Sequence, residues 1–337
     1  MSLKVTATQM EAAPAPLEAR LQRAEALVAQ GADEGSRIVV LPELFNLGYA
    51  YTAENYRRVE PPDGPTTSWM QECASRYQVY LAGTLLAREQ GEIFNRLLLV
   101  SPAGQTWHYD KTYPWGWERA YFRGAPGIRV AETPLGRIGM LICWDVAHPA
   151  LWRQYAGKVD WMLISSCPPD VSTARYHMPD GRTLTLRDLG ALLKRVYNTG
   201  QYVFGENVRA QAAWLGVPAV FSTGCGQVET PLPNPRGTLL SLGSLRPGLW
   251  RHLGRADAIR MQADLVSGCR IYRGAESPLE AAPAGGEMAL TGEIHPPETR
   301  PTPKGVQPQP RIPWMAYFSS DILLPTLTAG VYRRNKT

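Results

Sequence analysis

Apolar residues in this chain fall into short continuous runs separated by stretches of helical period. The opening segment, Met1 to Met10, carries a single charge and reads as a first strand. Leu17, Leu21, Ala24 and Val28 then recur at helical spacing, with Gly31 as the stop. Arg37 to Leu41 is a continuous apolar strand, buried on both faces, and runs straight into Pro42-Glu43. Thr66 to Tyr77 reads as a second helix. Val79 to Leu86 and Phe94 to Val100 read as strands around a turn at Gly91, and Gln105 to Tyr109 follows the Ser101–Gly104 turn. Strands this closely spaced predict hairpin pairing and a mixed sheet.

The second half repeats the pattern. Ile138 to Ile142 is a strand that stops at Cys143, and Pro149 to Tyr155 is a short helix. Asp160 to Ser166 is a buried strand that stops at Cys167-Pro168-Pro169. Leu186 to Asn198 reads as a helix leading through Gly200 into a strand at Gln201–Glu206. Thr238–Leu242 and Ile259–Leu265 read as the last strands of the sheet. Alternating strands and helices predict a layered α/β architecture whose site sits on the loops at one sheet edge.

Composition narrows the picture. With 337 residues, 44% of them apolar and 19% charged, the chain is one large domain or two modest ones with an ample core. The formal charge of +5 is spread along the chain, with no basic stripe interleaved with aromatics, so no nucleic-acid partner is expected. No stretch reaches the ~18 apolar residues of a membrane span. The five cysteines form no CxxC pair and no zinc spacing. The first ten residues lack the apolar core of a signal peptide, so a reducing cytoplasm is the expected location. From Glu276 the composition shifts, and seven prolines fall between His295 and Pro313. This predicts a domain over 1–275 and a proline-rich, extended C-terminal extension over 276–337. Ile312 to Leu327 turns apolar again, as a segment that docks would, here on another subunit.

The candidate chemistry sits at strand ends. A buried strand that stops at the Cys143 thiol and turns sharply sets the sulfur at a sheet edge beside fresh backbone N–H groups, the geometry of a nucleophile; a core cysteine is the alternative. Pro42 ends its strand, so Glu43 lies at an edge too, as a solvated loop acid or as a partly buried base of raised pKa among Leu44, Phe45 and Tyr49. Lys111 precedes an aromatic loop, Tyr113-Pro114-Trp115-Gly116-Trp117-Glu118. It is either a surface lysine or a desolvated cation paired with acid, with Glu118 as its partner or as an ordinary surface charge. Cys225, flanked by Gly224 and Gly226, is the rival nucleophile, but no matched base lies near it in sequence.

A glutamate, a lysine and a cysteine at successive strand ends resemble the nitrilase, or carbon–nitrogen hydrolase, superfamily. The matching segments are Leu41-Pro42-Glu43-Leu44-Phe45, Tyr109-Asp110-Lys111 and Gly139-Met140-Leu141-Ile142-Cys143-Trp144-Asp145. Glu118-Arg119 with Phe122-Arg123-Gly124 looks like the family's second, structural glutamate region. The resemblance covers about residues 3 to 272. It implies a four-layer α-β-β-α sandwich with mixed sheets, commonly paired into homodimers or larger assemblies, and a hydrolase domain over 1–275. It also implies a thioester mechanism with Cys143 as nucleophile, Glu43 as base and Lys111 with the Trp144 N–H as oxyanion donors. Glu118 then positions Lys111 or the substrate, and no metal or organic cofactor is required.

Three departures matter. Tyr113 stands where many members have a histidine two residues after the lysine. Val146-Ala147-His148 stands where amino-acid carbamoylases carry arginines. Cys-Trp-Asp resembles the N-carbamoylputrescine amidase type, whereas nitrilases more often show Cys-Trp-Glu. Tyr49, Trp115, Trp117, Trp144 and His148 suggest an aromatic pocket, while Trp152 and Trp161 read as core. The expectation is a thiol amidohydrolase acting on a small non-peptide amide or carbamoyl compound. The alternatives are a nitrilase using the same triad and, in a different class, a catalytically silent binding or assembly subunit.

Overall fold

Runs such as Ile38-Val39-Val40 and Met140-Leu141-Ile142 leave no polar face, so they are stable only between two covering layers. The computed structural model describes residues 2–189, 199–243, 246–274, 276–281 and 285–336. Its strands in chain order are β1 (Leu3–Glu11), β2 (Ile38–Val40), β3 (Tyr80–Glu89), β4 (Glu92–Val100), β5 (Thr106–Asp110), β6 (Val130–Thr133), β7 (Gly136–Ile142) and β8 (Trp161–Ser165). They continue with β9 (Arg175–His177), β10 (Thr183–Thr185), β11 (Ala219–Cys225), β12 (Gln227–Pro231), β13 (Arg260–Asp264), β14 (Arg270–Tyr272), β15 (Leu279–Glu280) and β16 (Met288–Ile294).

Twelve strands form one sheet in the order β5-β4-β3-β2-β1-β11-β8-β7-β6, with β14 against β11, β15 against β14 and β16 against β1. The central pairs β3–β2, β2–β1, β1–β11, β11–β8 and β8–β7 are parallel. The hairpins β3–β4, β4–β5 and β6–β7 are antiparallel, so the sheet is mixed as the strand spacing predicts. Its two halves share one core: Val5, Val40 and Leu97 from one half meet Ile138, Met140 and Leu163 from the other. The helices Leu17–Asp33 and Pro65–Tyr77 cover the first half through Ala24, Val28 and Met70. Pro149–Tyr155 and Val208–Leu215 cover the second through Trp152, Tyr155 and Ala212. This is the four-layer α-β-β-α sandwich, and Trp152 and Trp161 are fully buried in it.

Several expected strands are different elements. Gln201–Glu206 is helical, part of a run from Thr199 through a π-turn at Val203–Asn207 to Leu215. Buried Val203, Asn207, Gln211 and Leu215 recur every four residues, a helical stripe that outweighs the local β-branched look. Thr238–Leu242 lies in the helix Pro235–Gly243. Asn234 caps it by accepting from Gly237 N (3.4 Å), and proline at the first helical position favours the same start. Ile259–Leu265 is a strand, β13, but it belongs to a separate four-stranded sheet, β10-β9-β13-β12. Of the helix expected at Leu186–Asn198, residues 190–198 lie outside the described residues; Leu186–Leu189 is a 3₁₀ turn.

The sheet continues past residue 275. β16 pairs antiparallel with β1 from Leu3↔Ile294 to Gln9↔Met288, and Thr6 and Thr291 share a hydroxyl contact of 2.7 Å. The proline-rich stretch after it is extended. Prolines lack an N–H, so side chains tie it down: Gln307 Nε2 donates to Pro149 O (2.8 Å) and Gln211 Nε2 to Pro308 O (2.8 Å). The chain then turns helical over Trp314–Tyr317, a π-turn at Phe318–Leu323, and Leu324–Asn335. This last segment is anchored on its own chain, with Ile93 N donating to Tyr332 OH (3.0 Å) and Asn234 Nδ2 to Leu327 O (2.7 Å). Among the described residues, no helix is long and apolar enough to cross a membrane.

Asn234 therefore serves two elements at once. Asn234→Ala should cost about 0.5–2 kcal/mol in urea unfolding, the usual loss of a helix cap. It should also speed amide hydrogen exchange in Leu324–Asn335. Unchanged exchange there would show that the C-terminal helix does not depend on this anchor.

Candidate active site

β2, β5, β7 and β8 run in the same direction, because the two antiparallel steps from β3 to β5 restore it. Their C-terminal ends thus bring Glu43, Lys111, Cys143 and Ser166 to one edge. Pro42 ends the β2 ladder, and Glu43 N donates across to Ser166 O (3.2 Å). Leu44 then takes a left-handed conformation (φ 52°), held by its N–H on Thr84 Oγ1 (2.8 Å). Lys111 follows β5 directly, and its N–H donates to Asn95 O (2.9 Å).

Lys111 is fully buried. Its Nζ donates to Glu43 Oε1 (2.7 Å) and to Glu118 Oε2 (2.7 Å). Burial acts to lower its pKa, but the charges of Glu118 and Glu43 outweigh this and hold the ammonium well above its ordinary value. Glu118 is fully engaged by protein. Tyr49 OH donates to Oε1 (2.9 Å), and Trp115 N joins Lys111 on Oε2 (2.7 Å). Glu43 accepts a further bond from Asn95 Nδ2 (2.7 Å), while its buried Oε2 has no N–H or O–H donor among the described residues. Burial pushes the Glu43 pKa up to about 7; Lys111 opposes the shift, Glu118 adds to it, and the Cys143 thiol interacts with this carboxylate.

Cys143 opens a 3₁₀ turn, Cys143–Ala147, and has φ 47°. A left-handed non-glycine residue costs on the order of 1–3 kcal/mol and persists only where its surroundings over-determine it. Asp145 supplies that constraint. Its carboxylate accepts from Ile142 N (3.1 Å), Tyr109 OH (2.8 Å) and Tyr113 N (2.7 Å). One buried acid thus clasps the cysteine turn to both sides of Lys111. Burial raises its pKa to about 6, opposed by Lys111 and these donors. Burial and then the charge of Glu43 also push the Cys143 thiol well above its usual range, so the resting sulfur is protonated beside a carboxylate able to take the proton.

The sulfur opens into a cavity of ≈ 190 Å³, where Tyr49, Trp115, Trp117 and Trp144 join it. Tyr113 and His148 do not reach the cavity; they stack on each other at a ring-centroid distance of 3.5 Å. Burial lowers the His148 pKa to about 3, so the ring is neutral. Cys225 ends β11 away from this cavity, and burial and then Glu11 push its pKa up to about 12. The structure adds three residues to those read from sequence. Asn95 stands beside Arg96 in β4, so its polar side chain gave no separate signal. Ser166 was hidden among small strand residues. Asp321, which accepts from Trp144 Nε1 (3.1 Å), lies far off in the C-terminal segment.

Comparison with known proteins bears on the family and the fold. Residues 4–187 match the family model described as carbon-nitrogen hydrolase. A nitrilase of Pyrococcus abyssi is 29% identical over 160 residues, which is 46% of this chain and 61% of that protein. A bifunctional nitrilase/nitrile hydratase of Oryza sativa subsp. japonica is 31% identical over 166 residues, covering 42% and 46%. An omega-amidase of Danio rerio is 27% identical over 168 residues, covering 47% and 60%. The match thus spans less than two thirds of each of these relatives. Among solved structures, an amidase from Nesterenkonia sp. AN1 in complex with acrylamide superposes with a TM-score of 0.62 at 17% identity, over 87% of this chain and 90% of that one. At that identity the likeness shows the fold.

Asp145→Asn keeps the volume but turns an amide NH₂ toward donors, leaving a buried N–H unpaired. It should lower kcat by about 10²-fold, as small misplacements of reacting groups do, with stability reduced by about 1–3 kcal/mol. A variant that folds, keeps wild-type kcat and labels Cys143 at the wild-type rate would show that the clasp is not needed. Gly124 tests the same frame from below. A Cβ there would run into the Thr112 carbonyl oxygen. Gly124→Ala should therefore cost about 1–3 kcal/mol through overpacking and slow turnover by moving the Lys111 loop; a calorimetric melt and a rate on the same sample separate the two effects.

Proposed function

The chain belongs to the carbon–nitrogen hydrolase, or nitrilase, superfamily, and from that premise we propose that it is a thiol amidohydrolase cleaving a small non-peptide amide or carbamoyl C–N bond. The observation that carries this reading is a buried lysine held between two carboxylates, beside a thiol on a left-handed turn that opens into a cavity. A free thiol is mostly protonated near neutral pH, and burial here makes it more so. Glu43 removes the proton as Cys143 attacks the carbonyl carbon. The charge that develops on oxygen is met by Lys111 and by the backbone N–H of Trp144, the residue after the nucleophile in the turn. Glu43 returns the proton to the leaving nitrogen, ammonia or amine departs, and a thioester remains. A water deprotonated by Glu43 then attacks the thioester, and the sulfur leaves with that proton restored. Glu118, saturated by Lys111, Tyr49 and Trp115, positions the lysine.

A nitrilase is the second reading. The same residues acting on a nitrile carbon give a thioimidate, which two waters convert to acid and ammonia, and two of the relatives above carry nitrilase names. Under either reading the enzyme is cytoplasmic and forms a homodimer or larger assembly, for which exposed Trp314, Phe318 and Ile322, four residues apart, offer an apolar face.

Ammonia release from aliphatic amides, carbamoyl amines and nitriles, with Cys143→Ala as the blank, tests the assignment. Release from amides or carbamoyl compounds that the variant lacks is the expected result. Release from nitriles alone would replace this reading with the second. The pH profile tests the base. Glu43 accepts a proton only when ionised, so kcat/KM should fall as pH drops through about 7. Glu43→Gln should bind substrate and fail to acylate. A rate independent of pH between 5 and 8 would remove Glu43 from that role.

A further inference from the structure

The cavity above Cys143 says what kind of molecule fits it. Among the described residues, none that lines it is an Asp, Glu, Lys, Arg or His. Most of the walls are apolar, Val171, Phe204, Met261 and Leu323 among them, interrupted by neutral hydroxyl residues such as Thr199 and Ser320. Of the charged groups nearest the thiol, Glu118 is engaged by three donors, while Lys111 gives two of its three N–H bonds to carboxylates and keeps the third for the reacting oxygen. A substrate carboxylate or ammonium placed against these walls would lose its water and meet no counter-charge among the described residues, a penalty of several kcal/mol. An apolar group gains there instead, by roughly 25 cal/mol for each Å² removed from water.

Size narrows the class further. A dry apolar cavity of about 150 Å³ accepts benzene, and this one is ≈ 190 Å³. It therefore has room for one six-membered ring beyond the reacting carbon. One wall comes from the end of the chain. Ala316, Ser319, Ser320, Leu323 and Leu324 all line the space. Tyr317 OH on Ala147 O (2.6 Å) and Asp321 on the Trp144 indole pin that segment to the cysteine turn itself. Gly116, at φ 44°, has no side chain where Leu324 packs, and this lets the wall close on the loop that carries Trp115 and Trp117.

We infer that the substrate's acyl side is uncharged and of aryl or similarly compact apolar character, with Leu323 and Leu324 of the C-terminal segment setting its size. The inference rests on the hydrolase reading for its chemistry, but the cavity can be tested without turnover.

The experiment has two arms. Binding of phenylacetamide, acetamide and succinamate to Cys143→Ala is followed through tryptophan fluorescence and calorimetry. Hydrolysis of the same amides and of phenylacetonitrile is followed with the native enzyme. The aryl amide should bind at least about tenfold more tightly than either of the others, and its kcat/KM should lead by a similar factor. Leu323→Phe, which fills the wall, should lower the ratio of phenylacetamide to acetamide turnover. Equal or better use of acetamide or succinamate would overturn the substrate class and leave the hydrolase reading standing. Tight aryl binding with no hydrolysis of any amide or nitrile would overturn the hydrolase reading and uphold the cavity assignment. Should the alanine variant not fold, protection of native Cys143 from iodoacetamide by each compound gives the same ranking, and no protection by phenylacetamide would overturn the inference.

Discussion

The ammonium of Lys111, dry and 2.7 Å from two carboxylates, is the constraint on which the rest of the site depends. A lone buried ammonium would lose its proton, and two buried carboxylates without it would each take one up. Together they carry one net negative charge when both acids are ionised. That excess charge and the burial leave Glu43, the acid with an unfilled oxygen, as the group that titrates near neutral pH. Glu118 has every oxygen occupied, so it holds the lysine while Glu43 remains available to the thiol. The division of labour between two identical side chains thus comes from hydrogen-bond accounting.

The proposed triad requires three strand ends in register, and the fold supplies this through backbone and clasp. Parallel β2, β8 and β7 end together, and the β4–β5 hairpin brings Lys111 to the same edge. Leu44, the residue after Glu43, and Cys143 itself both sit in the left-handed region. Strain at these two points is tolerated because Thr84 holds the first and Asp145 the second. Asp145 is the more consequential, since the same carboxylate grips the residues two before and two after Lys111. A shift of the cysteine turn is thereby a shift of the lysine as well.

Much of this was legible in the sequence because strand ends announce themselves. Pro42 halts a β-branched run, and Ile138–Ile142 stops at a cysteine, so the residue types and their order marked the edge. Less legible were segments where local and tertiary signals compete. Gln201–Glu206 looks like a strand for six residues and resolves as helix only when the stripe is followed to Leu215. At Thr238–Leu242 the apolar run alone reads as a strand, while the Asn234-Pro235 cap just before it starts a helix. Residues such as Asn95 and Asp321 serve through partners more than fifty positions away, and no local pattern encodes that.

The C-terminal segment shows the limit most clearly. Its composition marks an extended stretch followed by an apolar one, and both features are present. Where the apolar part lands is a property of the assembled surface: glutamines that hold a proline strap against helices, a glycine that admits Leu324, and an indole that seeks an acceptor. Once landed, it adds a largely apolar wall to the space above the sheet edge. A less polar surrounding strengthens the interactions of the buried charge cluster, so the segment furthest from the proposed triad in sequence helps to set its medium.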